Sequence, residues 1–119
     1  MFNDTLWLLT RKGVYFLINK KIISPEKLQI LKDSKVFCVT KDSDNTKWIG
    51  TNNGVYTYKD SLRLVFSNKK IVNNEINAIV IQKEKVWIAM EKGLMLVDKR
   101  NPNTQMFQLL KNIRISALA

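Results

Sequence analysis

The three tryptophans of the chain stand at positions 7, 48 and 87, and three of its four glycines stand at 13, 54 and 93. Both sets recur at spacings of 41 and 39, and each Trp precedes its Gly by six residues. The aligned stretches are LWLLTRKGVYFL (6–17), KWIGTNNGVYTY (47–58) and VWIAMEKGLMLV (86–97). The register extends upstream to three short apolar runs, KVFCVT (35–40), EINAIV (75–80) and RISALA (114–119), in which Val36, Ile76 and Ile115 correspond. A repeat of this length marks a supersecondary unit that cannot bury its apolar faces alone and must stack on its neighbours.

Downstream of each Trp–Gly stretch lies another strand-like run: EKLQIL (26–31), SLRLVF (61–66) and TQMFQLL (104–110). Each unit therefore reads as four short strands separated by polar connections containing Asn, Asp, Ser or Pro, with little helical periodicity. Four strands in about 40 residues is the arithmetic of a β-propeller blade. The predicted fold is all-β, a propeller segment of about three four-stranded antiparallel blades, cut out of phase with the blade boundaries. The units fall at approximately 1–33, 34–73 and 74–112, and 113–119 begins a further blade.

The repeated residues have physical roles. Alternation along a strand puts Trp48 on one face with Gly50, and Trp87 with Ala89. A large aromatic beside a small residue suits neighbouring sheets packed face to face. Leu9 breaks this pattern in the first unit. Gly13, Gly54 and Gly93 sit where a short hairpin between twisted strands requires positive φ, which glycine adopts without a Cβ clash. Trp7, Gly13, Trp48, Gly50, Gly54, Trp87 and Gly93 are thus read as structural, and Asn52 as replaceable at little cost.

Composition excludes several chemistries. The chain of 119 residues has no His, which removes Ser–His and Cys–His nucleophile pairs, His metal sites and the commonest acid–base group. Its single Cys, Cys38, forms no internal disulfide and is read as a small buried hydrophobe. Lys and Arg number 20 against 10 acids, a net charge of +10. The basic residues occur as no more than pairs, such as Arg11-Lys12 and Lys69-Lys70, which favours dispersed charge over a nucleic-acid patch. The aromatics Tyr15, Phe16, Tyr56 and Tyr58 are locked to the repeat, which assigns them to packing before base stacking. No apolar run approaches the roughly 20 residues of a membrane span, and the N-terminus lacks the pattern of a signal peptide. Asn3-Asp4-Thr5 fits a glycosylation sequon that means little without a eukaryotic secretory context.

KWIGTNNGVYTY, with VWIAMEKGLMLV as a looser copy, resembles the two-component regulator propeller repeat, and Thr40-Lys41-Asp42 matches that family's Asp-bearing turn. The resemblance covers nearly the whole chain. It implies a non-catalytic part of the extracytoplasmic, periplasmic sensor of a hybrid two-component histidine kinase, of the kind found in Bacteroides-like bacteria and commonly responsive to carbohydrate. The implied partners are an oligosaccharide or anionic glycan, together with further blades from a parent chain or a second copy. No cofactor or metal is implied. The alternative is a protein–protein scaffold or a self-assembling multi-chain propeller. The chain opens without the innermost strand of its first unit, and propellers have roughly four to eight blades. It is therefore expected to be a piece of a longer sensor, or to pair so that residues 115–119 of one copy complete the first blade of another.

Propeller ligands gather at one mouth of the channel, beside the middle hairpin of each blade and the links between blades. The residues expected there are Arg11, Lys12, Asn52, Asn53, Glu91 and Lys92, whose charged and amide groups suit a sugar or an anion. Their plain alternative is solvated turn residues. DSDN (42–45) begins like a calcium loop, but Lys47 and Asn53 replace the Gly and Glu that such a loop needs at its sixth and twelfth positions, so an ordinary Asp/Asn turn is expected.

Overall fold

The computed structural model describes residues 5–66, 75–91, 93–100 and 106–111, the last stretch by its backbone. Its strands are β1 (Leu6–Thr10), β2 (Gly13–Ile18), β3 (Lys21–Ile23), β4 (Val36–Lys41), β5 (Lys47–Thr51), β6 (Gly54–Tyr58), β7 (Leu62–Phe66), β8 (Ile76–Gln82), β9 (Lys85–Met90), β10 (Gly93–Asp98) and β11 (Met106–Lys111), with a 3-10 helix at Glu26–Asp33. They form three antiparallel sheets in sequence order: β1-β2-β3, β4-β5-β6-β7 and β8-β9-β10-β11. Each is a simple meander in which neighbours in sequence pair in space, the connection short polar turns favour. The predicted strand at 113–119 lies outside the described residues, as do Asn3, Asp4 and Lys92.

The alternation read from the sequence sets which way each strand faces. In β5, Trp48 joins a core shared with the third sheet, while Ile49 joins a core shared with the first. The first of these cores holds Val55 from β6 and Ile76, Ile79, Val86, Ile88, Met90, Met95 and Val97 from the third sheet. Most of these side chains are fully buried, and each contributes roughly 1.5–3 kcal/mol of apolar transfer free energy. Trp87 points the other way, because its neighbours Val86 and Ile88 both face the second sheet. Its indole N–H donates to Gln82 Oε1 at 3.2 Å. Trp48 Nε1, by contrast, is buried with no hydrogen-bond partner among the described residues.

Gly50 determines how closely two sheets approach. A Cβ placed on it would lie 2.8 Å from Ile76 Cγ2 and 3.0 Å from Cys38 Sγ. The space beside Trp48 is therefore filled by Ile76 of the neighbouring sheet, with the indole packed alongside. This brings β4 against β8, and Thr40 Oγ1 ties the two by donating to Ile79 O at 2.8 Å.

The first sheet departs from the expected pattern in two ways. EKLQIL is a 3-10 helix where a strand was predicted, and the outer strand is β3 instead. The reason lies in which residues are apolar. A strand over 26–31 would place Leu28 and Ile30 on one face and leave Leu31 on the other. The helix, entered through Ser24-Pro25, buries Leu28 and Leu31 three residues apart and leaves Ile30 at 73% exposure. Both leucines fill the wedge between the first two sheets, packing with Val14, Val36 and Ile49. Trp7, Phe16, Tyr56, Tyr58 and Leu62 close its margin, with Trp7 4.9 Å from Phe16 and 6.0 Å from Tyr58 between ring centroids. Lys47 Nζ stands 5.3 Å from the Trp7 ring, a cation–π contact. The three sheets thus have three, four and four strands, and the correction is to the outer strand of the first, which is β3 in place of the predicted run 26–31.

β3 is reached through Asn19-Lys20, both in the left-handed region at φ 51° and 67°. Two such residues between paired Ile18 and Lys21 make the primed turn that fits strand twist. Asn tolerates this conformation better than Lys. Lys20→Gly should stabilise the protein by about 0.5–1 kcal/mol, read as a raised denaturant midpoint with an unchanged slope. Gly13→Ala should do the reverse and more strongly. Gly13 has φ +93°, and an added Cβ would lie 2.7 Å from Leu31 O, a backbone atom. A loss of at least about 2 kcal/mol is expected.

Candidate ligand-binding site

The turns after β1 and β5 share one construction. In TRKG, Thr10 Oγ1 donates to Gly13 O at 2.8 Å and accepts from Lys12 N–H at 2.9 Å. In TNNG, Thr51 Oγ1 donates to Gly54 O at 2.9 Å and accepts from Asn53 N–H at 3.0 Å. The hydroxyl closes the turn from both sides, and the glycine takes positive φ, +93° at Gly13 and +135° at Gly54. Gly93 does the same at +142°. The third copy, MEKG, has Met90 where the others have Thr, and that side chain is fully buried in the core.

These turns are docked onto the links that precede the innermost strands. Asn52 N–H donates to Lys35 O at 3.1 Å, and Lys35 N–H donates to Asn52 Oδ1 at 2.9 Å. Glu91 N–H donates to Glu75 O at 2.9 Å, the equivalent contact in the third sheet. Gly13 N–H reaches across to Ser34 O at 2.9 Å, and Asn53 Nδ2 donates to Ser34 Oγ at 3.1 Å. Turns and links from three sheets are thereby held at one end of the structure.

Between them lies a cavity of about 290 Å³ lined by Arg11, Lys35, Phe37, Asn52 and Glu75. Two of the predicted site residues, Arg11 and Asn52, meet there. Lys12 and Asn53 stand exposed on the same turns, outside the lining. Glu91 is half-buried and hydrogen-bonded to the backbone of Glu75, so it borders the cavity through its partner. Lys92 lies outside the described residues. Lys35, Phe37 and Glu75 were not singled out from sequence. Their signal was positional, since Lys35 and Glu75 open the two link-plus-strand runs KVFCVT and EINAIV.

The charges of the described residues divide into paired ones, at the opposite ends of the strands, and unpaired ones at the cavity. Lys99 Nζ reaches Asp42 Oδ2 at 2.9 Å, joining the β4–β5 turn to the end of β10. Burial works to raise the Asp42 carboxyl's pKa, but the Lys99 hydrogen bond and charge outweigh it and hold the pKa below the usual range. Asp42 Oδ1 accepts from Ser43 N–H and Asp44 Oδ1 from Thr46 N–H. DSDN is therefore a hydrogen-bonded turn whose first carboxylate is committed to a lysine. Asp98 is gripped by Arg100 through two side-chain contacts and one backbone N–H, and Lys85 adds a contact at 3.5 Å. These hold its pKa at about 2. Burial pushes the Cys38 thiol up to about 11, only partly offset by a backbone hydrogen bond at Gly50. The thiol is thus protonated at neutral pH and unsuited to nucleophilic work. Arg11 and Lys35 have no ion-pair partner among the described residues.

Two outcomes follow. Asn52 is a clamp on the link, so Asn52→Ala should cost about 1 kcal/mol, more than a solvated turn residue. Gly54→Val should cost more, about 1–3 kcal/mol from forced backbone strain, and ranking the two variants by thermal melting checks the order. An Asp98 pKa below its unfolded value of about 4 contributes stability above that pH and loses it as pH falls through about 2. Asp98→Asn should shrink the fall in stability over that window in acid titrations.

No protein-family model matches the chain, and no curated protein matches it. Among solved structures it is similar to the extracellular domain assigned to the hybrid two component system BT4673 from B. thetaiotaomicron, at 21% identity and a TM-score of 0.71, covering 94% of this chain and 16% of that one. It is similar also to the extracellular domain assigned to the hybrid two component system BT3049 of the same organism, at 22% identity and a TM-score of 0.63, covering 90% of this chain and 14% of that one. The chain spans about one-sixth of those domains or less. Identities of this size carry the fold. Both of those structures are extracellular domains of hybrid two component systems, the class to which the resemblance of the repeat points.

Proposed function

We propose that this chain is a segment of a β-propeller from the extracytoplasmic sensor of a hybrid two-component system, contributing to ligand recognition with no catalytic role. The observation that carries this reading is the likeness to extracellular domains of such systems over 94% of the chain. The three sheets are its consecutive blades, with the innermost strands β4 and β8 toward the shared axis. In that arrangement the cavity between turns and links sits at a channel mouth, where several blades each supply one or two groups. The ligand class is carbohydrate, whose many hydroxyls suit an array of charged and amide groups on turns.

A glycan array probed with the purified 119-residue chain tests this. Retention of a defined set of oligosaccharides is the expected result. Capture of a protein partner with no glycan signal would overturn the carbohydrate reading in favour of a scaffold.

A further inference from the structure

The lining of the mouth cavity is chemically uneven. Arg11 and Lys35 bring two cations against the single carboxylate of Glu75. The three ion pairs among the described residues lie elsewhere, at Asp42 and Asp98. An exposed unpaired cation is commonplace by itself. Here two of them converge on a cavity with an aromatic ring and a fixed amide. Asn52 has its Oδ1 occupied by Lys35 N–H, which leaves its two Nδ2 hydrogens as donors. Three donor-bearing side chains and one carboxylate, Glu75, therefore line the cavity, with Phe37 as its apolar member. About 290 Å³ lies near the lower limit for small-molecule pockets, suited to one or two sugar rings and too small for a long folded chain.

We propose that this cavity takes a uronic acid, a sugar ring bearing a carboxylate. The inference rests on the carbohydrate-sensor reading and specifies its ligand. The carboxylate is received by Arg11, whose planar fork matches its two oxygens, and by Lys35 as a second positive charge. The ring lies on Phe37. Its hydroxyls donate to Glu75 and accept from Asn52. Glu75 also orients the ligand, since it repels the carboxylate and so confines it to the Arg11–Lys35 side. Lys12, one residue from Arg11 but outside the lining, contributes only to the general positive field.

Isothermal titration of the 119-residue chain with digalacturonate and with the neutral disaccharide maltose tests this. Digalacturonate should bind about tenfold or more tightly than maltose, the value of one or more charge-assisted hydrogen bonds. Arg11→Gln and Lys35→Gln should each lower the ratio of digalacturonate to maltose affinity by about tenfold, with folding checked by circular dichroism. Lys12→Gln should leave both unchanged at physiological salt. Equal binding of the two disaccharides, or folded Arg11→Gln and Lys35→Gln variants that bind digalacturonate as tightly as the parent, overturns the uronate assignment while the carbohydrate reading stands. If Lys12→Gln weakens binding as much as Arg11→Gln, diffuse charge replaces the site and the assignment falls. Absence of binding to either disaccharide, with an empty glycan array, overturns both readings.

Discussion

Gly50 has no side chain, and Ile76 from the next sheet occupies the space that leaves. Much of the described structure follows from this contact. It lets β4 and β8 lie against each other, and it closes the core in which Val55, Ile88, Met90 and Met95 lose all contact with water. It also fixes how far apart the links before β4 and β8 stand. Those links carry Lys35 and Glu75 into the same cavity. A packing detail in the interior thereby sets the geometry of a surface site.

The first pair of sheets solves the same problem differently. Leu9 stands where the second unit has Gly50, at the position aligned by the Trp register. The wedge between these sheets is filled by Leu28 and Leu31 of a 3-10 helix, not by close approach of the strands. The helix backbone then presses on Gly13, whose missing Cβ accommodates Leu31 O. The turn glycine of this unit consequently carries two demands, positive φ and close contact, and the turn it shapes holds Arg11 at the cavity.

Much of this was legible in the sequence because it is local or periodic. Alternation put Trp48 and Gly50 on one face, and the Trp-to-Gly spacing located the positive-φ turns. The 3-10 helix was not legible from EKLQIL by alternation, since short apolar runs suit either element and the burial of Leu31 depends on a wedge that a neighbouring sheet defines. INKKII did carry the signal for β3, three polar residues between β-branched ones, but it stands outside the strand positions that the repeat register marks. The lining of the cavity was partly legible. Arg11 and Asn52 follow from the turns, whereas the clamp between Asn52 and Lys35 joins residues 17 apart and depends on sheet pairing. Arg11 and Lys35 are far apart in sequence and line one cavity, a meeting that the pattern of charge along the chain does not show.

The close approach at Gly50 is tested most directly by a double-mutant cycle in denaturant unfolding, combining Gly50→Ala with Ile76→Ala. Gly50→Ala alone should destabilise by about 1–3 kcal/mol through overpacking. In the Ile76→Ala background, where Cγ2 is gone, the same change should cost at least about 1 kcal/mol less. Costs that add to within about 0.5 kcal/mol would contradict the contact, and with it the spacing of the sheets on which the cavity depends.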